Sequence, residues 1–136
     1  MTQEQKDLLL KDLSARLPYD IKCKIEMWIN CDVCTIYNIN SIGYIEIVED
    51  SDTNGVNIER IKPYLFPLSS MTEEQKEELD KYLDMDSKSL IDGYKNGLKC
   101  AHPYFNVQDW YNKNHFDYRG LIPMGLANDA TGLNIY

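Results

Sequence analysis

The side chains best equipped for chemistry are four cysteines and two histidines. Cys31-Asp32-Val33-Cys34 is a Cys-x-x-Cys, and Cys100-Ala101-His102 sets a third thiol two residues from an imidazole. Cys31, Cys34, Cys100 and His102 have the ligand types and number of a closed tetrahedral zinc site. The first pair has the usual spacing, and the Cys-x-His pair is tighter than the common knuckles. A redox Cys-x-x-Cys normally opens a helix, where the dipole lowers the thiol pKa. Here Thr35-Ile36-Tyr37 follows and reads as strand, which speaks against a thioredoxin-like role. The plainer reading is small thiols packed in a core or a turn.

His115 and Asp117 suggest a base and its orienting carboxylate for a Cys or Ser nucleophile. Two residues apart, they do not face each other on a helix, although a turn can bring them together. No Gly-x-Ser-x-Gly elbow and no Gly-x-Gly phosphate loop occurs. The sharpest polar cluster is Asp117-Tyr118-Arg119-Gly120. With Trp110 it offers the aromatic and guanidinium anchors of a protein-recognition patch. The structural alternative, which the flanking apolar runs favour, is an Asp117–Arg119 pair and a Gly-ended turn that lock this segment to the domain. Between Thr72 and Asp86 there are seven acids against two lysines, net −5. Such a helix could imitate a phosphate backbone and act as an acidic decoy for nucleic-acid-binding proteins. A solvated helix face is the simpler reading.

The elements that must position these residues follow from period and punctuation. Thr2 with Gln5 fits a capping box and starts a helix over 2–17. Leu10, Leu13 and Leu17 form its stripe, Leu9 widens it, and Pro18 stops it. Residues 21–29 alternate with a period of two, as a half-buried strand does. Residues 33–38, 42–48 and 56–61 read as further short strands, with Asn54-Gly55 as a turn signal. No helix interrupts them, so antiparallel hairpins are expected. Pro63 and Pro67 predict an irregular connector over 62–68 rather than a helix or a central strand. Ser70 with Glu73, or Thr72 with Gln75, caps a second helix to about Leu83. Asn106 starts a third helix, which presents Val107, Trp110 and Tyr111 for burial.

These elements predict one α+β domain over 1–136. An N-terminal helix precedes a small curled antiparallel sheet of four or five strands, with an SH3-like barrel as its natural closure. The C-terminal helices pack on it. With 136 residues, 43% hydrophobic and 26% charged, the composition is that of a globular fold. The formal net charge of −8, with no basic run, disfavours direct contact with nucleic acid or anionic membranes. No stretch approaches the roughly 18 apolar residues of a membrane helix. The polar, acidic start lacks the signature of a signal peptide. A cytoplasmic protein is expected, with its cysteines as thiols or ligands rather than disulfides.

Three stretches are distinctive in wording: Leu17-Pro18-Tyr19 after the leucine-rich helix, the run from Ile61 to Thr72, and His115 to Ile122 followed by Gly125-Leu126-Ala127. In them the chain resembles a family of small hypothetical proteins that recur in gut Bacteroidales genomes and their phages or mobile elements. The resemblance covers about a third of the chain. It implies a genomic setting and carries no activity, cofactor or site residues. The expectation is a non-catalytic interaction or accessory protein of a phage or mobile element, without a cofactor, that binds another protein. The rivals are a zinc module or enzyme built on Cys31, Cys34, Cys100 and His102, and the acidic decoy.

Overall fold

The structure is a computed structural model that describes residues 1–26, 28, 32–40, 43–48, 55–81, 83 and 107–136. Helix α1 (Gln3–Arg16) begins at a capping box: Thr2 accepts from the Gln5 amide while the Gln5 side chain accepts from the Thr2 amide. Its inward residues are Leu9, Asp12, Leu13 and Arg16. The expected stripe of Leu10, Leu13 and Leu17 is therefore rotated, with Leu10 and Leu17 only half-buried. Two charged residues take the positions that hydropathy alone assigns to leucine.

Strands β1 (Lys22–Ile25), β2 (Cys34–Ile39), β3 (Tyr44–Ile47), β4 (Val56–Asn57), β5 (Ile61–Leu65) and β6 (Asn128–Asp129) form one sheet in the order β4-β3-β2-β1-β5-β6. The pairs from β4 to β5 are antiparallel, and β6 runs parallel to β5. The α+β class and the N-terminal helix match expectation. The sheet does not close: β4 and β6 are its two edges, so the described strands form an open mixed sheet in place of the expected antiparallel barrel. Alternation puts Ile21, Cys23, Ile25, Cys34, Ile36, Ile45, Ile47, Val56, Ile61 and Leu65 inside with Leu9 and Leu13. The chain brings Leu121, Leu126 and Ala127 back to this same core. A second cluster joins Leu79 of helix α2 (residues 73–81), Trp110 of helix α3 (Val107–Lys113) and Phe116. Thr72 and Gln75 cap α2 reciprocally.

Strand β5 overturns the expected connector over 62–68. Pro63 lies inside it, opposite Cys23, in a strand with neighbours on both sides. The ladder shows why this is tolerated. The Glu26 amide donates to the Arg60 carbonyl at 2.9 Å, and Lys24 pairs with Lys62. Alternation then makes Cys23–Pro63 a wide pair, where no amide points across to β1. On the other flank β6 starts only opposite Tyr64, one residue past the proline. The missing N–H of Pro63 leaves no rung broken.

Glycine is required at one hairpin position. Gly55 has φ +68, and a Cβ there would lie 3.0 Å from the Tyr44 Cβ. In β2 a register shift between Ile36 and Asn38 makes Tyr37 the extra residue of a bulge.

Candidate functional site

The predicted recognition residues converge on the core side of the molecule. Asp12 and Arg16, one turn apart on α1, are both 0% exposed. The Arg16 Nε donates to Asp12 Oδ2 at 2.7 Å and its Nη2 to Oδ1 at 3.2 Å. Arg119 reaches the same carboxylate, its Nε donating to Oδ1 at 3.0 Å. The Arg16 Nη2 also donates to the Phe116 carbonyl at 2.7 Å. Two guanidinium groups thus share one buried carboxylate, and a backbone carbonyl takes part of the surplus donor capacity. Tyr118 completes the unit. Its ring stacks on Tyr111 at 5.3 Å, and the Arg119 and Arg16 guanidinium carbons lie 4.7 and 5.5 Å from its centroid.

Asp117 does not pair with Arg119, as the structural reading of Asp117-Tyr118-Arg119-Gly120 expected. Its two carboxylate oxygens accept from the Leu121 and Ile122 amides at 2.7 and 2.8 Å. A carboxylate capping the next turn locks the segment as foreseen, but the arginine it was paired with goes to α1 instead. Trp110 is buried and stacks face to face on Phe116 at 5.6 Å. The contacts of Trp110, Asp117, Tyr118 and Arg119 are thus made within the chain. No sequence signal singled out Asp12 and Arg16. An acid and a base four apart on a helix ordinarily form an exposed pair, and only the arrival of Arg119 and the Phe116 carbonyl makes their burial possible.

Among the described residues, segment 110–118 also concentrates polar atoms that lack a partner. Trp110 Nε1, Asn112 Oδ1, His115 Nδ1 and Tyr118 Oη are buried without a hydrogen bond. His115 has a left-handed backbone, φ +57, and is buried. Desolvation, helped by the nearby Arg16 and Lys22 charges and opposed by Asp20, lowers its pKa to about 4. The imidazole lies flat against the Tyr136 ring, 3.6 Å between centroids and 14° between planes. The Tyr136 Oη accepts from the Lys22 amide at 3.1 Å and donates to the Tyr64 carbonyl at 2.8 Å. Burial of that hydroxyl raises its pKa. Asp117 is spent on backbone amides, so the suggested His115–Asp117 base pair is not assembled.

Of the cysteine set, Cys31, Cys100 and His102 lie outside the described residues. Cys34 is disulfide-bonded. The expectation that all four cysteines are thiols or ligands fails at this residue, since a disulfide sulfur is neither a thiol nor a thiolate ligand. Among the described residues no group of His, Cys, Asp and Glu gathers as metal ligands do. Glu73, Glu74, Glu77, Glu78 and Asp80 on α2 are all exposed, as a solvated face requires.

The outward side of the sheet differs from this inward cluster. Tyr37, Tyr44 and Val48 project from β2, β3 and the residue after β3, with Tyr37 57% and Val48 59% exposed. The Tyr37 hydroxyl bonds to Glu46 on the neighbouring strand, which raises its pKa. No described helix is long and apolar enough to cross a membrane. No family model, curated protein or solved structure matches the chain.

Proposed function

We propose that this chain is a non-catalytic interaction module, an accessory protein of a phage or mobile element, that binds another protein through the outward side of β2 and β3. The observation that carries the reading is the exposure of Tyr37, Tyr44 and Val48 on one side of two paired strands. Aromatic rings held on a rigid sheet bury large area at low entropic cost, and tyrosine is enriched among the residues that dominate binding energy. Glu46 holds the Tyr37 hydroxyl, so that ring is already oriented before any partner arrives. The inward Asp12–Arg16–Arg119 cluster supports the same reading, because its donors and acceptors serve the fold. The phage or mobile-element setting rests on the resemblance of the three sequence stretches. A cytoplasmic setting is part of this reading, and the disulfide at Cys34 is the observation that stands against a reducing compartment.

The test is capture from host lysate with the wild-type chain and with Tyr37→Ser/Tyr44→Ser, at low and high salt. Bound protein, nucleic acid and metal are all quantified. One protein enriched at both salts by the wild type, and reduced at least about tenfold by the double variant, is the expected result. Capture that survives in the double variant overturns the assignment to this face. Stoichiometric zinc with no protein bound moves the case to the cysteine set.

A further inference from the structure

One hydrogen bond of the β1–β5 ladder is carried by a side chain rather than directly from strand to strand. Glu26–Arg60 and Lys24–Lys62 are narrow pairs, so the next narrow pair along the ladder is Lys22–Tyr64. At that place the Tyr136 hydroxyl stands between the strands, taking the Lys22 amide proton and giving its own to the Tyr64 carbonyl. The ring is received as specifically as the hydroxyl. The His115 imidazole lies parallel to it at 3.6 Å, and the Phe66 ring tilts against it at 5.9 Å and 57°. One donor, one acceptor and two aromatic walls are what recognition of a phenol needs.

Four features distinguish this place from ordinary core packing. Tyr136 as a whole residue is 40% exposed although burial raises the pKa of its hydroxyl, so it stands at the protein surface. Residues 131–134 are all exposed, so lifting this stretch uncovers little of the core. Holding the ring in place also requires left-handed backbone at Asn134, φ +51, beside that of His115. His115 meanwhile is more than nine-tenths buried with Nδ1 unpartnered, a costly way to build a mere wall.

We infer that the opening bounded by His115, Phe66, the Lys22 amide and the Tyr64 carbonyl is a binding site for a para-substituted phenol, held by Tyr136 as a built-in and exchangeable occupant. The hydroxyl of an incoming phenol takes over the rung between β1 and β5, its ring takes over the His115 stack, and its para substituent leaves through the opening that the Tyr136 backbone now fills. The site is separate from the outward face of β2 and β3, so either reading can fail without the other.

Tyr136→Ala empties the slot, and p-cresol is the probe, with toluene as the control that lacks the hydroxyl. At about tenfold excess over its Kd, p-cresol is expected to raise the melting temperature of Tyr136→Ala by roughly 3–6 °C. Toluene should do clearly less, and neither should stabilise the wild type as much. His115 ring resonances should shift on p-cresol addition, as a stacked ring requires. Equal effects of p-cresol and toluene, or no shift at His115, overturn the proposal. N-acetyl-tyrosinamide separates two sources of the phenol. Binding at least as tight as p-cresol points to a tyrosine of another polypeptide, and its exclusion points to a small free phenol. If Tyr136→Ala does not fold, Tyr136→Phe keeps the ring and removes the hydroxyl. p-Cresol should then perturb His115 at lower concentration than in the wild type, and an equal requirement overturns the inference.

Discussion

Arg16 shows how a single side chain can be wrong for its sequence context and right for its place. A wholly buried guanidinium is costly unless every donor is directed and its charge is met. Asp12 meets the charge and the Phe116 carbonyl takes a further donor. Removing the shared carboxylate strands Arg16, which is 0% exposed. Asp12→Leu is therefore expected to lower unfolding free energy by about 3–5 kcal/mol, read from urea denaturation. Asp12→Leu/Arg16→Met together should cost less than Asp12→Leu alone, because the fully buried guanidinium is then gone too; Arg119, with 14% side-chain exposure, retains some access to water. A double variant that is worse than the single would show that the unit contributes by shape rather than by charge.

At the level of elements, what was local in cause was legible in advance. The two capping boxes, Thr2–Gln5 and Thr72–Gln75, involve side chains and amides three residues apart, and both form. The alternation over 21–25, 34–36 and 44–48 survives as inward isoleucines and cysteines. Pro63 escapes local reading because a proline's effect on a strand depends on which neighbour its nitrogen faces, and that is settled by the register with β1 and the late start of β6. The hairpin from β3 to β4 makes the sharpest prediction at this scale. Gly55→Ala puts a Cβ 3.0 Å from the Tyr44 Cβ at a left-handed φ, and it should destabilise by about 1–3 kcal/mol. Thermal melts check it. A change under a few tenths would mean that the hairpin shifts to accept the methyl group.

At the scale of the whole molecule, His115 is expected to contribute to the acid response. Its pKa is about 4 in the fold against an ordinary value of 6.5. Between those values the unfolded chain binds the proton that the fold refuses. Stability is therefore fully present above about pH 6.5, declines as the pH falls, and has lost this contribution by about pH 4. Allowing for residual solvent screening, the loss is on the order of 2 kcal/mol. His115→Asn keeps a residue that tolerates left-handed backbone and removes the titration. Urea melts across that window should show a shallower decline for the variant than for the wild type. Parallel declines would assign the acid sensitivity to carboxylates instead.

The sequence by itself determined the α+β class, the start of α1 and α2, the inward rows of the central strands and the acidic face of α2. Each depends on residues within a few positions of one another, where period, caps and solvation act directly. Only the tertiary structure decided that the sheet is open and mixed, because β6 reaches β5 from more than sixty residues away. It also decided that Asp12 and Arg16 are buried, that Asp117 caps a turn instead of pairing with Arg119, and that Tyr136 supplies a rung of the β1–β5 ladder. Burial of a charge, tolerance of a proline and recognition of a phenol all depend on which distant groups arrive to meet them, and no local pattern encodes that arrival.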